Sequence, residues 1–106
     1  MRLNYIEYLR RNWRRVAERV KEIGMKYGKV NKVIVFGSVI EDKITGSSDL
    51  DIVVFYDEKI GDNDKIKRTL EILNELQEDI IYVDLKVLRK DEENWFLKFV
   101  EKYAEI

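Results

Sequence analysis

Three short runs rich in β-branched residues, each separated from the next by polar or helix-patterned sequence, constrain this chain more than any other feature. "KVIVFG" at 32–37, "DLDIVVFY" at 49–56 and "IIYVDLKVL" at 80–88 have the length and composition of strands. Three strands do not close a barrel or build a sandwich, so their apolar side chains need helices as cover. The flanking sequence supplies them. Over 3–27, Ile6, Leu9, Trp13, Val16, Val20, Ile23 and Tyr27 alternate by three and four, the stripe of an amphipathic helix, with Gly28 as its stop. Ile66, Leu70, Leu73 and Leu76 repeat that spacing within 64–79, and "DEENWFLKFVEKY" at 91–103 reads as a closing helix that opens on acidic residues, as the helix dipole favours. The expected fold is α/β (α+β): a small mixed β-sheet flanked by helices in the order α-β-β-α-β-α. The 106 residues contain no internal repeat and no linker, so 1–106 is expected to be one domain.

Composition then limits the chemistry. The chain has no Cys and no His, which removes disulfides, thiol nucleophiles, zinc-thiolate centres, imidazole ligands and any Ser-His-Asp triad. Carboxylates, hydroxyls, Lys, Arg and a carboxylate-bound hard cation remain. The longest apolar run, "IVVFY" at 52–56, is far too short to span a bilayer, and the opening "MRLNYIEYLRRNW" lacks the apolar core of a signal peptide. A cytoplasmic location without membrane association is expected.

Side chains alternate along a strand, so Asp49 and Asp51 are expected on one face of the second strand, with Leu50 and Ile52 on the other. Two neighbouring carboxylates at the head of an apolar strand repel each other unless a cation lies between them. Mg²⁺, an oxygen-seeking ion commonly held by one or two carboxylates and the phosphates of a substrate, fits that need and implies a nucleotide. A third acid, Asp84, stands inside the third apolar run, where a charge is out of place. If the second and third strands are neighbours in register, Asp84 joins the pair. Three carboxylates suit in-line displacement at phosphorus, with Asp84 as metal ligand and as general base towards an acceptor hydroxyl. Each acid alone also has a purely structural reading, as a turn residue, a solvated strand end or a residue on an open sheet face. Gly37-Ser38 follows the first strand, where a small residue lets backbone amides approach a phosphate. Ser38 and Glu41 also have the spacing of a helix capping box, and a capped helix start is itself an anion site.

Together, "FGSVIEDKITGSSDLDIVV" at 36–54 resembles the signature of the DNA polymerase beta-like nucleotidyltransferases: Gly-Ser, ten residues, then Asp-x-Asp, with Ser48 just ahead of the first acid. Asp84 occupies the place of the family's third carboxylate. So short a chain is similar to the minimal nucleotidyltransferase group. That resemblance implies ATP and Mg²⁺, and transfer of AMP to a hydroxyl, with many such proteins acting as antitoxins that adenylylate a tyrosine of a helical HEPN-domain ribonuclease. It assigns Gly37, Ser38 and Ser48 to the nucleotide, and Asp49, Asp51 and Asp84 to metal binding and catalysis.

One stretch departs from the pattern. Antitoxin-like members commonly continue Ala-Arg-Gly after Gly-Ser-x, and this chain has Ile40-Glu41-Asp42. Two acids there oppose a triphosphate, with Lys43 as the nearest compensating cation. The alternative function is an antitoxin that works by contact alone. Charge is also polarised. Residues 1–30 hold nine Lys/Arg against three Asp/Glu, a net of +6, and 31–106 hold eleven against eighteen, a net of −7. Arg10, Arg11, Arg14 and Arg15 are read as a solvated face paired with the acidic remainder, ahead of a docking face for an acidic partner; direct nucleic-acid binding is not expected. Trp13 is expected in the core. Trp95, Phe96, Phe99 and Tyr103 are read as core, or as the cover of a homo-oligomer interface.

Overall fold

The computed structural model describes residues 2–106, and side chains from residue 4 onward. Its elements are α1 (Arg2–Gly24), β1 (Val30–Phe36), β2 (Leu50–Tyr56), α2 (Asp62–Leu76), a 3₁₀ segment (Gln77–Tyr82), β3 (Val83–Arg89), a short turn of helix, α3 (Glu93–Leu97), and β4 (Tyr103–Glu105). The strands form one mixed sheet in the order β3-β2-β1-β4. β1 runs antiparallel to β2 and to β4, while β2 and β3 are parallel. The mixed sheet with helical cover is as expected.

The two sheet faces are unequally covered. Leu9, Val16, Ala17, Val20 and Ile23 of α1 and Ile72 and Leu76 of α2 pack against Val33, Val35, Leu50, Ile52, Val54, Leu85 and Val87. This is the main core, and it takes the alternate residues of each strand. The opposite face carries Ile34, Val53 and Phe55, sealed only by Phe36, Leu88, Phe96 and Leu97. Phe96 meets Phe36 and Phe55 edge-on at 5.4 and 6.1 Å. At the end of this face where β2 and β3 start, that cover stops at Phe36, leaving Asp51 half-buried and Asp84 exposed.

Several expectations shift. α1 stops at Gly24 and not at Gly28, because the backbone turns there against the sheet, with the buried Tyr56 hydroxyl donating to the Gly24 carbonyl at 2.6 Å. On α2, Ile66 and Leu70 face solvent at 60% exposure each, so Ile72 and Leu76 carry the buried side of that helix. The third strand begins at Val83 and not at residue 80. Gln77, with φ 54°, breaks the helix, and the following 3₁₀ segment buries Asp79, which accepts a hydrogen bond from Tyr8 Oη at 2.8 Å and lies 3.9 and 3.8 Å from Arg15 and Arg19.

The expected closing helix at 91–103 is the largest correction. It shrinks to the five residues of α3, and the chain end becomes β4, pairing Tyr103, Ala104 and Glu105 with Phe36, Val35 and Ile34. The open edge of β1 offered unpaired donors and acceptors, and satisfying them outweighs the helical preference of the local sequence. Phe96 is the one member of its aromatic group that packs inward. Trp95, Phe99 and Tyr103 are exposed by 60, 74 and 43%, so they are not core. Trp13 packs at the margin of the main core, with the Arg14 guanidinium 4.8 Å above its ring. The basic face of α1 is paired in part, as Arg11 meets Glu7 at 3.1 Å and Arg15 reaches Asp79. Among the described residues no helix is long and apolar enough to cross a membrane.

Candidate active site

The site follows from strand register. β2 and β3 are paired so that Asp51 lies directly beside Asp84, and β1 and β2 so that Phe36 lies on the other side of Asp51. Laterally paired residues point to the same face, so the row Tyr103, Phe36, Asp51, Asp84 crosses the sparsely covered face at its bare end. The sequence expectation of neighbouring second and third strands in register is met, and these two acids are brought together.

Gly37 is the residue that makes room. It has φ +80°, in the left-handed region that side chains disfavour, and a Cβ built on it would collide with the Asp51 carboxylate. From there the backbone coils once: the amides of Ile40 and Glu41 donate to the Gly37 carbonyl at 3.1 and 3.0 Å, and Lys43 to Ser38 at 2.9 Å. Asp42, with φ 56°, ends the coil. The capping box expected at Ser38 is therefore not formed. No helix starts there, and the Glu41 amide is spent on Gly37.

Asp49 lies one residue ahead of β2 and is exposed. Among the described residues, no three acidic side chains converge closely enough to enclose a metal ion. Asp49 is nonetheless near enough for its charge to act on Asp51. Burial first, then the charge and hydrogen bonding of Asp84, then the charge of Asp49, push the Asp51 carboxyl up to about 6, with Lys86 pulling the other way. Lys86, two residues beyond Asp84 on the same face, is a cation at the site that the sequence reading did not single out.

The segment before Asp49 is a closed turn. Thr45 N–H donates to Ser48 Oγ at 2.8 Å and Ser48 N–H to the Thr45 carbonyl at 3.2 Å. The Ser48 hydroxyl thus serves the turn itself, while its carbonyl accepts a hydrogen bond from Tyr5 Oη of α1 at 2.7 Å. Burial, and secondarily the charge of Asp49, raise the Tyr5 hydroxyl above its ordinary value. Tyr5 is not among the stripe residues used to read α1, although it stands four residues before Leu9 on the same face of the helix and packs against the main core. Glu41, the first acid within the Gly37 coil, lies 3.9 Å from Lys43.

The site is open to solvent, with Asp49 and Asp84 exposed and Asp51 half-buried. A cavity of about 490 Å³ exists at the far end of β2 and β3, lined by Asp57, Glu58, Lys59, Arg89, Lys90 and Asp91, and it shares no residue with the carboxylate end. The lining of that cavity is already cross-paired, Arg89 with Asp91 at 3.0 Å and Lys90 with Asp57 at 4.0 Å.

Comparison with known proteins agrees with this geometry. No curated protein matches the chain. A crystal structure of a candidate nucleotidyltransferase from Sulfolobus solfataricus superposes with a TM-score of 0.66 at 20% identity, over 94% of this chain and 83% of that one. A second candidate nucleotidyltransferase gives 0.66 at 23% identity, over 84% of this chain and 95% of the other. At such identities the likeness establishes the fold. The family profile described as "Polymerase beta, Nucleotidyltransferase" matches residues 18–105, a span that takes in the Gly37 coil, the Asp-x-Asp strand and Asp84. On that match, the carboxylate row at the bare end of the sheet belongs to a member of the polymerase beta nucleotidyltransferase family.

Proposed function

We propose that the chain transfers AMP from ATP to a hydroxyl of a partner protein. The observation that carries the reading is the in-register pair Asp51 and Asp84 with Gly37 folded back against Asp51. In this reading Asp51 and Asp84, joined by Asp49 from the turn ahead of β2, would hold Mg²⁺, Gly37 and Ser38 would line the triphosphate, and Ser48 would shape the approach to Asp49. The donor set suits a hard cation. It offers only carboxylate oxygens, and burial, with the neighbouring Asp84 and Asp49 behind it, holds the Asp51 carboxyl up at about 6. When bound, Mg²⁺ would neutralise phosphate charge. Asp84, the exposed member of the pair, takes the proton of the acceptor hydroxyl. The hydroxyl oxygen bonds to the α-phosphorus, the bond from that phosphorus to the bridging oxygen of the β-phosphate breaks, and pyrophosphate leaves with the electron pair.

The exposure of Asp49 and Asp84 supports a macromolecular acceptor, because a protein surface brings its own walls where a small molecule would need a pocket. From the family resemblance, the acceptor is a tyrosine of a HEPN-type toxin, and the chain its antitoxin. Incubation with labelled ATP, Mg²⁺ and such a partner is expected to label the partner. Replacing Asp49 and Asp51 together by Asn is expected to abolish the label, and equal labelling by the double variant would sink the proposal.

A second reading has its own observation. Glu41 and Asp42 are exposed at the end of the Gly37 coil, and the compensating Lys43 is drawn to Glu41. Acids at that place oppose a triphosphate and fit an antitoxin that neutralises its partner by contact. Under this reading the Asp49/Asp51 double Asn variant still protects cells that express the toxin. Loss of protection, with the complex still forming, counts against it.

A further inference from the structure

We propose that Tyr5 is a positioning residue for the nucleotide site, holding the peptide that carries Asp49 in the orientation that metal and phosphate binding require. This rests on the nucleotidyltransferase reading above. Asp51 and Asp84 are fixed by the β2–β3 ladder, but Asp49 precedes β2 and has no ladder to hold it. Its placement depends on the turn before it.

That turn is closed on itself by the Thr45–Ser48 hydrogen bonds, so it moves as a unit. Ile44, at its entry, is partly buried against the main core, which anchors one side of it. The other side ends at the Ser48 carbonyl, which shares a planar peptide unit with the amide of Asp49. Tyr5 Oη donates to that carbonyl at 2.7 Å across 43 residues of sequence. Fixing the oxygen fixes the plane, and the plane sets the direction in which Asp49 leaves the backbone.

The Tyr5 ring is itself braced. It lies against Tyr82, with centroids 5.1 Å apart and planes tilted 34°; Tyr82 in turn stacks on Tyr8 at 4.4 Å and 19°, and Tyr8 Oη donates to Asp79. Tyr82 stands two residues before Asp84, at the entrance to β3. Tyr5 therefore touches the two segments that lead into Asp49 and Asp84, and it ties the separation of those acids to the packing of α1. A purely structural tyrosine would stabilise α1 without favouring either acid.

The test separates these roles. Binding of ATP is measured calorimetrically across a Mg²⁺ series for the parent, Tyr5→Phe and Tyr8→Phe. Tyr5→Phe keeps the ring and loses only the hydroxyl, so its melting temperature should stay near that of the parent. Its affinity for Mg²⁺·ATP is expected to fall about three- to tenfold, with a higher Mg²⁺ concentration at half-saturation. Tyr8→Phe loses a hydrogen bond remote from Asp49, and is expected to melt earlier with unchanged Mg²⁺ demand. In metal-free protein, amide exchange at Ser47, Ser48 and Asp49 should quicken in Tyr5→Phe alone. Parent-like affinity and Mg²⁺ demand in Tyr5→Phe, or an equal shift in Tyr8→Phe, would overturn the inference and leave the nucleotidyltransferase reading standing. A parent that binds no Mg²⁺·ATP overturns both.

Discussion

Asp51→Asn is expected to be more stable than the parent at pH 8 and to lose nearly all transfer activity. The Asp51 carboxyl titrates near 6 in the folded chain against 3.8 for the free side chain, so folding favours its protonated form. Well below pH 3.8 the carboxyl is neutral in both states and the shift costs nothing. As the pH rises through the folded value the charged carboxylate is carried into the fold beside Asp84, and stability is lost progressively up to pH 6 and then levels off. Because the group is partly solvated and its surroundings screen it, the loss amounts to about 1–2 kcal/mol, less than the full shift would give. The Asn variant escapes it. Its melting temperature should exceed that of the parent by roughly 4–8 °C at pH 8 and converge on it below pH 3.8. Added Mg²⁺ should raise the parent and leave the variant unmoved. Transfer should fall about 10³-fold, the scale of losing a group that stabilises transition-state charge. A parent and variant with the same melting temperature at pH 8 would remove the argument for a strained carboxylate pair.

Gly37→Ala is the second large effect, and here activity and stability should fall together. An Ala at φ +80° is strained, and its Cβ meets the Asp51 carboxylate. The two contributions together should destabilise the fold by about 2–4 kcal/mol, read as a lower urea midpoint at unchanged slope. They are separable. The collision needs the carboxylate and the backbone strain does not, so adding Asp51→Ala to Gly37→Ala should recover the steric part only. A double-mutant cycle would then show a coupling of about 1 kcal/mol or more between positions 37 and 51. Additive behaviour would mean that the glycine serves its turn alone.

The sheet and its carboxylates were readable in the sequence for a physical reason. Alternation along a strand decides which face a side chain takes, so the lone acid in the third apolar run already implied a face shared with Asp51 once β2 and β3 were neighbours, whereas Asp49, ahead of β2, falls outside that alternation. The chain end was not readable. Residues 91–103 have helical periodicity, and the competing attraction, the open edge of β1, lies nearly seventy residues away in sequence and leaves no local trace. The same limit applies on α2, where Ile66 and Leu70 continue an apolar spacing that the packing does not use. At the site, the motif residues stood out by type and spacing, whereas Tyr5, Tyr82 and Lys86 matter through where the fold delivers them. An aromatic near the start of a helix looks like any other until the Ser48 carbonyl is found beside it.

The position of β3 at the margin of the sheet, with Asp84 and Lys86 exposed along it, bears on solubility as well as on chemistry. A bare strand margin invites pairing with the same margin of another molecule, and like charges brought opposite one another resist it. β4, at the other margin, is only three residues long and carries Glu105. Asp84→Val would leave a continuous apolar run from Ile80 to Leu85, and the protein would then be exposed to strand-to-strand aggregation during refolding. On the proposed reading, one acid would serve both to take the acceptor's proton and to keep the sheet from growing.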